Sequence, residues 1–122
     1  MIQWADVDKA QASWGEAVVA VGAAPDWQEA HHLATRLVRD HYVLGDGSLL
    51  FCPTKAAVTQ FRSSLEDAVS YFVGRDDNHP EDQGFALEPW TGVRFENAGV
   101  VSRGDLAIAM GNYFFRRVDG SE

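Results

Sequence analysis

Trp90-Thr-Gly-Val-Arg-Phe-Glu-Asn97 and, after a short break, Gly104-Asp-Leu-Ala-Ile-Ala-Met-Gly-Asn-Tyr-Phe-Phe-Arg-Arg-Val118 are the two segments that decide the fold of this chain. In them, β-branched and aromatic residues alternate with a period of two, which predicts two antiparallel strands joined as a long hairpin. Both alternating faces of the second strand are apolar, so we expect both faces to be buried against other elements. We expect helices of the same chain on one face and a second copy of the chain on the other.

Upstream of the hairpin, apolar residues recur at helical spacing in three segments. The predicted helices cover residues 6–23, residues 26–42 and residues 60–73. Asp26, with Glu29 three residues later, is typical of a capping box at the start of the second helix, and Gly74 suits the end of the third.

Turn-forming residues separate these helices from shorter elements. Gly45-Asp46-Gly47 is expected to break the second helix as a turn, and an apolar run predicts a short strand over residues 48–52. A further brief strand is expected over residues 85–87. Asp119-Gly120 is a strong turn signal, yet two residues follow it. We therefore expect either a last strand whose edge pairs with a partner or a sequence that is a piece of a longer one.

Composition limits the possible functions. The 122 residues have 46% hydrophobic and 23% charged residues, as expected for one globular domain. The net charge of −8 argues against binding to nucleic acid or to an anionic membrane surface, because both need clustered Lys and Arg. The single cysteine, Cys52, cannot form an internal disulfide, and no signal peptide precedes the first helix, so a cytoplasmic location is expected.

Few residues are candidates for chemistry. The four histidines lack the spacing of a helical metal site, so no metal is expected. His41 is expected to be a boundary histidine or a catalytic base, and Glu96 to form an exposed ion pair with Arg94 or to lie at a pocket rim. Tyr113 is the third candidate catalytic residue. The predicted pocket residues are polar groups within apolar strands and large aromatic side chains: Tyr42, Phe85, Trp90, Arg94, Met110, Asn112 and Tyr113.

Seven segments together resemble a known superfamily. They are Leu50-Phe-Cys-Pro-Thr-Lys-Ala56, Phe61-Arg62, Tyr71-Phe72, Gly84-Phe-Ala86, Trp90, Val93-Arg-Phe-Glu-Asn97 and Ala109-Met-Gly-Asn-Tyr-Phe-Phe115. Over residues 10–120 they resemble a bacterial branch of the nuclear transport factor 2-like (NTF2-like) superfamily. The branch is related to SnoaL-like domains and to the association domain of calmodulin-dependent kinase II.

The resemblance implies an α+β fold of the cystatin-like, NTF2-like cone type. In this fold three N-terminal helices pack on a curved antiparallel sheet that encloses a pocket, and residues 1–122 form one domain. The family also implies dimerisation through the sheet. Because relatives continue with further strands, this chain is expected to lack the last strands of the cone.

These observations lead to the interpretation of a cytoplasmic homodimer that binds a small, largely apolar molecule between helices and sheet without a cofactor. One alternative is a SnoaL-like isomerase or hydratase, which requires a titratable group inside a dry cavity. The other is an assembly module without ligand, in which side chains fill the cone and the exposed edge recruits another protein.

Overall fold

Three helices and one β-hairpin form the protein, as a computed structural model describes it for residues 1–45 and 49–122. Helix α1 contacts both the hairpin and α2, and α2 also contacts α3. Buried apolar side chains between these elements form one core, whose most buried members are Val18, Val21, Ala34, Leu37, Val38, Ala68, Phe72, Val73 and Ala86. The predicted α+β class, with three helices and an antiparallel sheet, is confirmed.

The elements follow one another along the chain in the predicted order. The helices are α1 (Trp4–Gly22), α2 (Trp27–His41) and α3 (Leu65–Val73), followed by a 3₁₀ helix (Phe85–Leu87). The strands are β1 (Trp90–Arg103) and β2 (Leu106–Arg117). No helix in the described part of the chain combines the length and apolar character needed to cross a bilayer.

Capping residues set the helix ends. Asp26 accepts a hydrogen bond from the backbone N–H of Glu29 at 2.8 Å, so the predicted cap of α2 is confirmed. Gly74 ends α3 with φ of 67°, a conformation that glycine adopts without strain. Helix α1 begins earlier than predicted, because Asp6 accepts from the backbone N–H of Gln3 and lies inside the first turn rather than before it.

Two predicted strands are absent from the described residues. Residues 49–52 are extended but form no ladder; Leu49 donates to Ser63 O and Arg62 donates to Phe51 O. This pairing uses residues that had been predicted to open the third helix, so α3 starts at Leu65 instead of residue 60. Position 48 and the predicted turn at Asp46 lie outside the described residues.

The segment from Phe85 to Leu87 is a 3₁₀ helix and not a strand. Gly84, with φ of 84°, reverses the chain ahead of it, and its carbonyl oxygen accepts from the Leu87 N–H at 2.9 Å. Such a tight turn suits one glycine followed by small and apolar residues. It carries Phe85 beneath the start of the hairpin.

The hairpin register separates two faces. Phe95 pairs with Tyr113 and Val93 with Phe115 on the face toward the helices, while Glu96 pairs with Asn112 on the opposite face. The alternation predicted from the sequence is therefore confirmed. Register shifts near Gly92 and between Asn97 and Gly99 mark two bulges, and bulges bend a strand and increase its twist.

Candidate functional site

Tyr113 lines two open cavities between the helices and the hairpin, and also a third, minor one of about 210 Å³ beside Gln11, Asn97 and Asn112. The larger, about 700 Å³, lies beside α1 and the end of α2. The smaller, about 310 Å³, lies beside α3 and the 3₁₀ helix and extends around the open edge of β2 to Phe114 and Glu122. In the described part of the chain β2 pairs only with β1, so the second edge of β2 is open beside these cavities.

The smaller cavity contains a cluster of hydroxyl groups. The Thr54 and Tyr113 hydroxyl oxygens lie 3.4 Å apart, which joins the loop before α3 to β2. The backbone N–H of Lys55 donates to the Tyr71 hydroxyl oxygen, also at 3.4 Å. Because that oxygen accepts, the Tyr71 O–H remains available to donate to a ligand. Burial raises the pKa of Tyr71, so its phenol stays protonated at neutral pH.

Aromatic rings form the apolar wall of the same cavity. Phe85 and Phe115 meet edge to face with centroids 4.9 Å apart, and Trp90 lies 5.3 Å from Phe115. The Trp90 indole N–H donates to the Phe85 carbonyl oxygen at 2.8 Å, which satisfies the one polar atom of this wall. The cavity therefore offers hydroxyl donors on one side and an apolar aromatic surface on the other.

The larger cavity is lined by Trp14, His41, Tyr42, Phe51, Phe95 and Tyr113, among others. The Trp14 indole N–H donates to the Tyr42 hydroxyl oxygen at 3.1 Å. Burial raises the pKa of Tyr42 to about 12, so this phenol also stays protonated. At His41, Nδ1 donates to the Leu37 carbonyl oxygen at 2.9 Å, and Nε2 is hydrogen-bonded to the Ser13 hydroxyl, also at 2.9 Å.

A carboxylate holds the loop that carries Thr54. The Glu81 carboxylate accepts hydrogen bonds from the backbone N–H groups of Thr59, Ala57 and Val58 at 2.7 to 3.1 Å. These bonds lower the pKa of Glu81 to about 2. The loop after α3 thus anchors the loop before it.

The hairpin separates the pocket residues predicted from the sequence. Tyr42 and Tyr113 line the larger cavity, and Phe85, Trp90 and Tyr113 line the smaller one. Asn112, exposed opposite Glu96, lines the minor cavity together with Tyr113, whereas Met110 is 77% exposed on the outer face.

The two charged candidates lie on this outer face as well. Arg94 forms ion pairs with Glu96 and Glu122, and its guanidinium carbon lies 3.9 Å from the centre of the Phe114 ring. The structure therefore contains the exposed ion pair between Arg94 and Glu96, which was one of the two expectations for these residues. Of the three candidate catalytic residues, His41 and Tyr113 share a cavity, whereas Glu96 is on the other side of the sheet.

Sequence reasoning missed Thr54, Tyr71 and Phe115 as cavity residues. A signal for Thr54 was present, since a polar residue directly follows the apolar run ending at Pro53. Tyr71 had no comparable signal, because its position in α3 matches the apolar face of any buried helix. Among residues 1–45 and 49–122, no three His, Cys, Asp or Glu side chains come together as a potential metal site.

Comparisons with known proteins give a consistent result. The family described as metal-independent carbonic anhydrase matches residues 5–122. A metal-independent carbonic anhydrase of Nostoc sp. (strain PCC 7120) is 40% identical over 111 residues, which are 88% of this chain and 54% of that protein. The chain therefore spans about half the length of this curated relative.

A solved structure agrees with the sequence matches. The crystal structure of the iota-carbonic anhydrase from a cyanobacterium, complexed with bicarbonate, superposes with a TM-score of 0.93 at 38% identity. The superposition covers 98% of this chain and 76% of the other.

These matches correct the earlier interpretation. The assignment to the NTF2-like superfamily and its SnoaL-like branch is wrong, because the match over nearly the whole chain is to the metal-independent carbonic anhydrases. A binding protein for an unidentified apolar molecule is likewise the wrong function, and the SnoaL-like isomerase or hydratase and the assembly module do not match either. The chain belongs to the family of metal-independent carbonic anhydrases.

Proposed function

We propose that this chain catalyses the reversible hydration of carbon dioxide to bicarbonate without a metal ion. Family membership over residues 5–122 supports the reaction, and the relative solved with bicarbonate supports the ligand. The observation that carries the proposal is the hydroxyl cluster of Thr54, Tyr71 and Tyr113 beside an aromatic wall.

The two sides of the smaller cavity suit the two reactants. Carbon dioxide is apolar, and the rings of Phe85, Trp90 and Phe115 offer a surface that water solvates poorly. Water needs hydrogen-bond partners, which the Thr54 and Tyr113 hydroxyls provide. Holding both reactants in one small volume lowers the entropic part of the barrier.

The hydroxyls can also stabilise the negative charge that develops on the carbon dioxide oxygens during the reaction. As water oxygen bonds to carbon, one C=O bond becomes single, negative charge grows on the carbon dioxide oxygens, and a proton is released to solvent. The phenol hydroxyls of Tyr71 and Tyr113 donate hydrogen bonds to those oxygens, as in an oxyanion hole. Thr54 both donates and accepts, so its oxygen accepts a hydrogen bond from the attacking water.

The test measures the exchange of oxygen-18 between labelled carbon dioxide and water. The protein is first dialysed against a chelator, and the exchange is monitored by mass spectrometry. We expect catalysis by the dialysed protein. Tyr71→Phe should lower the rate about 100-fold, the usual cost of removing one donor from developing charge. Thr54→Val should act similarly.

Thr35→Val is the matched control, because the Thr35 hydroxyl donates to the His31 carbonyl oxygen within α2. Its activity should equal that of the wild type. The proposal fails if the chelator-treated wild type exchanges oxygen no faster than buffer, or if Thr54→Val and Tyr71→Phe both retain full activity.

We also propose a homodimer through the hairpin and a cystatin-like cone as the finer architecture. Support for the homodimer comes from the outer face of the sheet, where Val101, Leu106, Ile108 and Met110 are 58 to 77% exposed. The two bulges of β1 support the cone, since they bend the hairpin around the cavities.

A further inference from the structure

A polar cleft adjoins the aromatic cavity. It has a volume of about 410 Å³ and lies between the loop after α3 and the start of β1. Four residues, Lys55, Tyr71, Phe85 and Trp90, line both the cleft and the aromatic cavity. A ligand that moves between the cleft and the hydroxyl cluster therefore passes these side chains.

The carboxylates of this cleft are already engaged. Asp82 receives two hydrogen bonds from the Arg62 guanidinium, at 2.7 and 2.8 Å. The Glu81 carboxylate accepts from three backbone N–H groups. Glu88 pairs with Arg117, whose Nε lies 3.4 Å from a Glu88 oxygen and whose guanidinium carbon is 5.4 Å from the Trp90 ring centre.

Lys55 differs from these groups. Its Nζ lies 5.8 Å from the centre of the Phe85 ring, and it forms no ion pair with any carboxylate of residues 1–45 and 49–122. The carboxylate of Glu122, which lines the aromatic cavity, is likewise engaged, because it pairs with Arg94. Lys55 is therefore the cation at this junction whose charge is left to attract an anion.

We propose that the Lys55 ammonium binds bicarbonate at the junction of the cleft and the aromatic cavity. The inference rests on the proposed function, whose two carbon species differ in charge: carbon dioxide is neutral and bicarbonate is an anion. A lysine suits an anion that arrives and departs, because its flexible stem lets the charge follow the ligand and its three donors rotate freely. Lys55 thus distinguishes bicarbonate from carbon dioxide.

The chain offers an internal control, because Lys9 and Lys55 are its only lysines. Protein labelled with carbon-13 at lysine Cε gives one resonance for each side chain, and Lys9 lies exposed on α1, away from the cleft lining. Sodium bicarbonate is titrated at pH 8 and constant ionic strength, with sodium chloride as the matched salt. We expect a saturable shift of the Lys55 resonance with bicarbonate and none for Lys9.

Variants give the second measurement. Lys55→Met should raise the bicarbonate Kd about 2- to 5-fold, the effect of losing one exposed charge contact. Lys55→Arg should stay near the wild-type value, and Lys9→Met should not change it. Equal shifts of both lysines, no shift of either, or wild-type affinity in Lys55→Met would overturn the inference.

The two proposals fail separately. A chain without oxygen-18 exchange but with a saturable, Lys55-specific bicarbonate shift contradicts the proposed reaction and supports the anion site. An active chain whose Lys55 resonance ignores bicarbonate contradicts the anion site alone.

Discussion

Arg62 and Asp82 form a bidentate ion pair, with nitrogen–oxygen distances of 2.7 and 2.8 Å and no exposed surface on the Arg62 side chain. The pair joins the loop before α3 to the loop after it. Arg62 Nε also donates to the Thr59 carbonyl oxygen at 2.8 Å, and the Ser70 hydroxyl donates to Asp82. This network fixes the segment that carries Thr54, and so it links the stability of the loops to the geometry of the cavity.

Replacement of Arg62 by Met should destabilise the protein strongly. The Asp82 carboxyl would lose its compensating cation in a place where its side chain is 2% exposed. Breaking a buried pair in this way typically lowers the free energy of unfolding by about 3 to 5 kcal/mol. Urea denaturation followed by tryptophan fluorescence measures the change. Arg36→Met, at an exposed position on α2, is the control and should change it little; equal effects of the two variants would contradict the prediction.

The stability should also fall in acid, and Glu81 contributes to that fall. Its pKa is lowered from 4.5 in a model compound to about 2 by the backbone N–H groups of Thr59, Ala57 and Val58. A lowered pKa in the folded state adds stability above pH 4.5, and this stability is lost as the pH falls from about 4.5 to about 2.

The measurement is urea denaturation of wild type and Glu81→Gln at several pH values from 7 to 2.5. The variant should be less stable than the wild type at pH 7, and the difference should shrink below about pH 4.5. Glu16→Gln, an exposed carboxylate on α1, serves as the control for the change in net charge. A wild-type advantage that persists undiminished at pH 2.5 would show that the Glu81 charge is not responsible.

The elements that local pattern determines were predicted well. Alternation along β1 and β2 predicted which side chains share a face, because adjacent residues of a strand point to opposite sides. Asp26 and Gly74 marked helix ends because capping depends on residues close in sequence. The short apolar run after position 48 was misread. A strand requires a neighbour with free backbone groups, and among the described residues this run forms two backbone hydrogen bonds to residues 62 and 63.

The site depended on contacts that no local pattern encodes. Thr54 and Tyr113 are 59 residues apart in sequence, and Arg62 and Asp82 are 20 apart. Tyr113 was a candidate from its own segment and Thr54 had a local signal, but nothing in either segment indicated that their hydroxyls meet. The family assignment failed for a related reason, because short motifs that are weak individually occur in more than one family, whereas a match across residues 5–122 does not depend on any one of them.

Gly111 should tolerate no larger residue. A Cβ placed there would lie 2.6 Å from Asn97 Cα and would also overlap the Glu96 carbonyl oxygen, because the bulge of β1 brings its backbone across this position. Gly111→Ala should lower the free energy of unfolding by about 1 to 3 kcal/mol, as overpacking usually does. Gly99→Ala is the matched control on β1, since a Cβ there meets nothing within 4 Å. Thermal unfolding of the two variants compares them directly, and equal losses would contradict the close contact.

A charge on the outer face of the hairpin should break the proposed dimer. Ile108 is 63% exposed in one chain and is surrounded by Val101, Leu106 and Met110, so a second copy would bury it at the centre of this patch. Ile108→Glu would place a charge in that interface without a partner, which an apolar surface does not tolerate. Sedimentation equilibrium at micromolar concentration should show a dimer for the wild type and a monomer for the variant. Leu50→Glu, at a residue 91% exposed outside the hairpin, should remain dimeric. A wild type that sediments as a monomer, or a dimer that persists in Ile108→Glu, would mean that this face is covered by something other than a second copy.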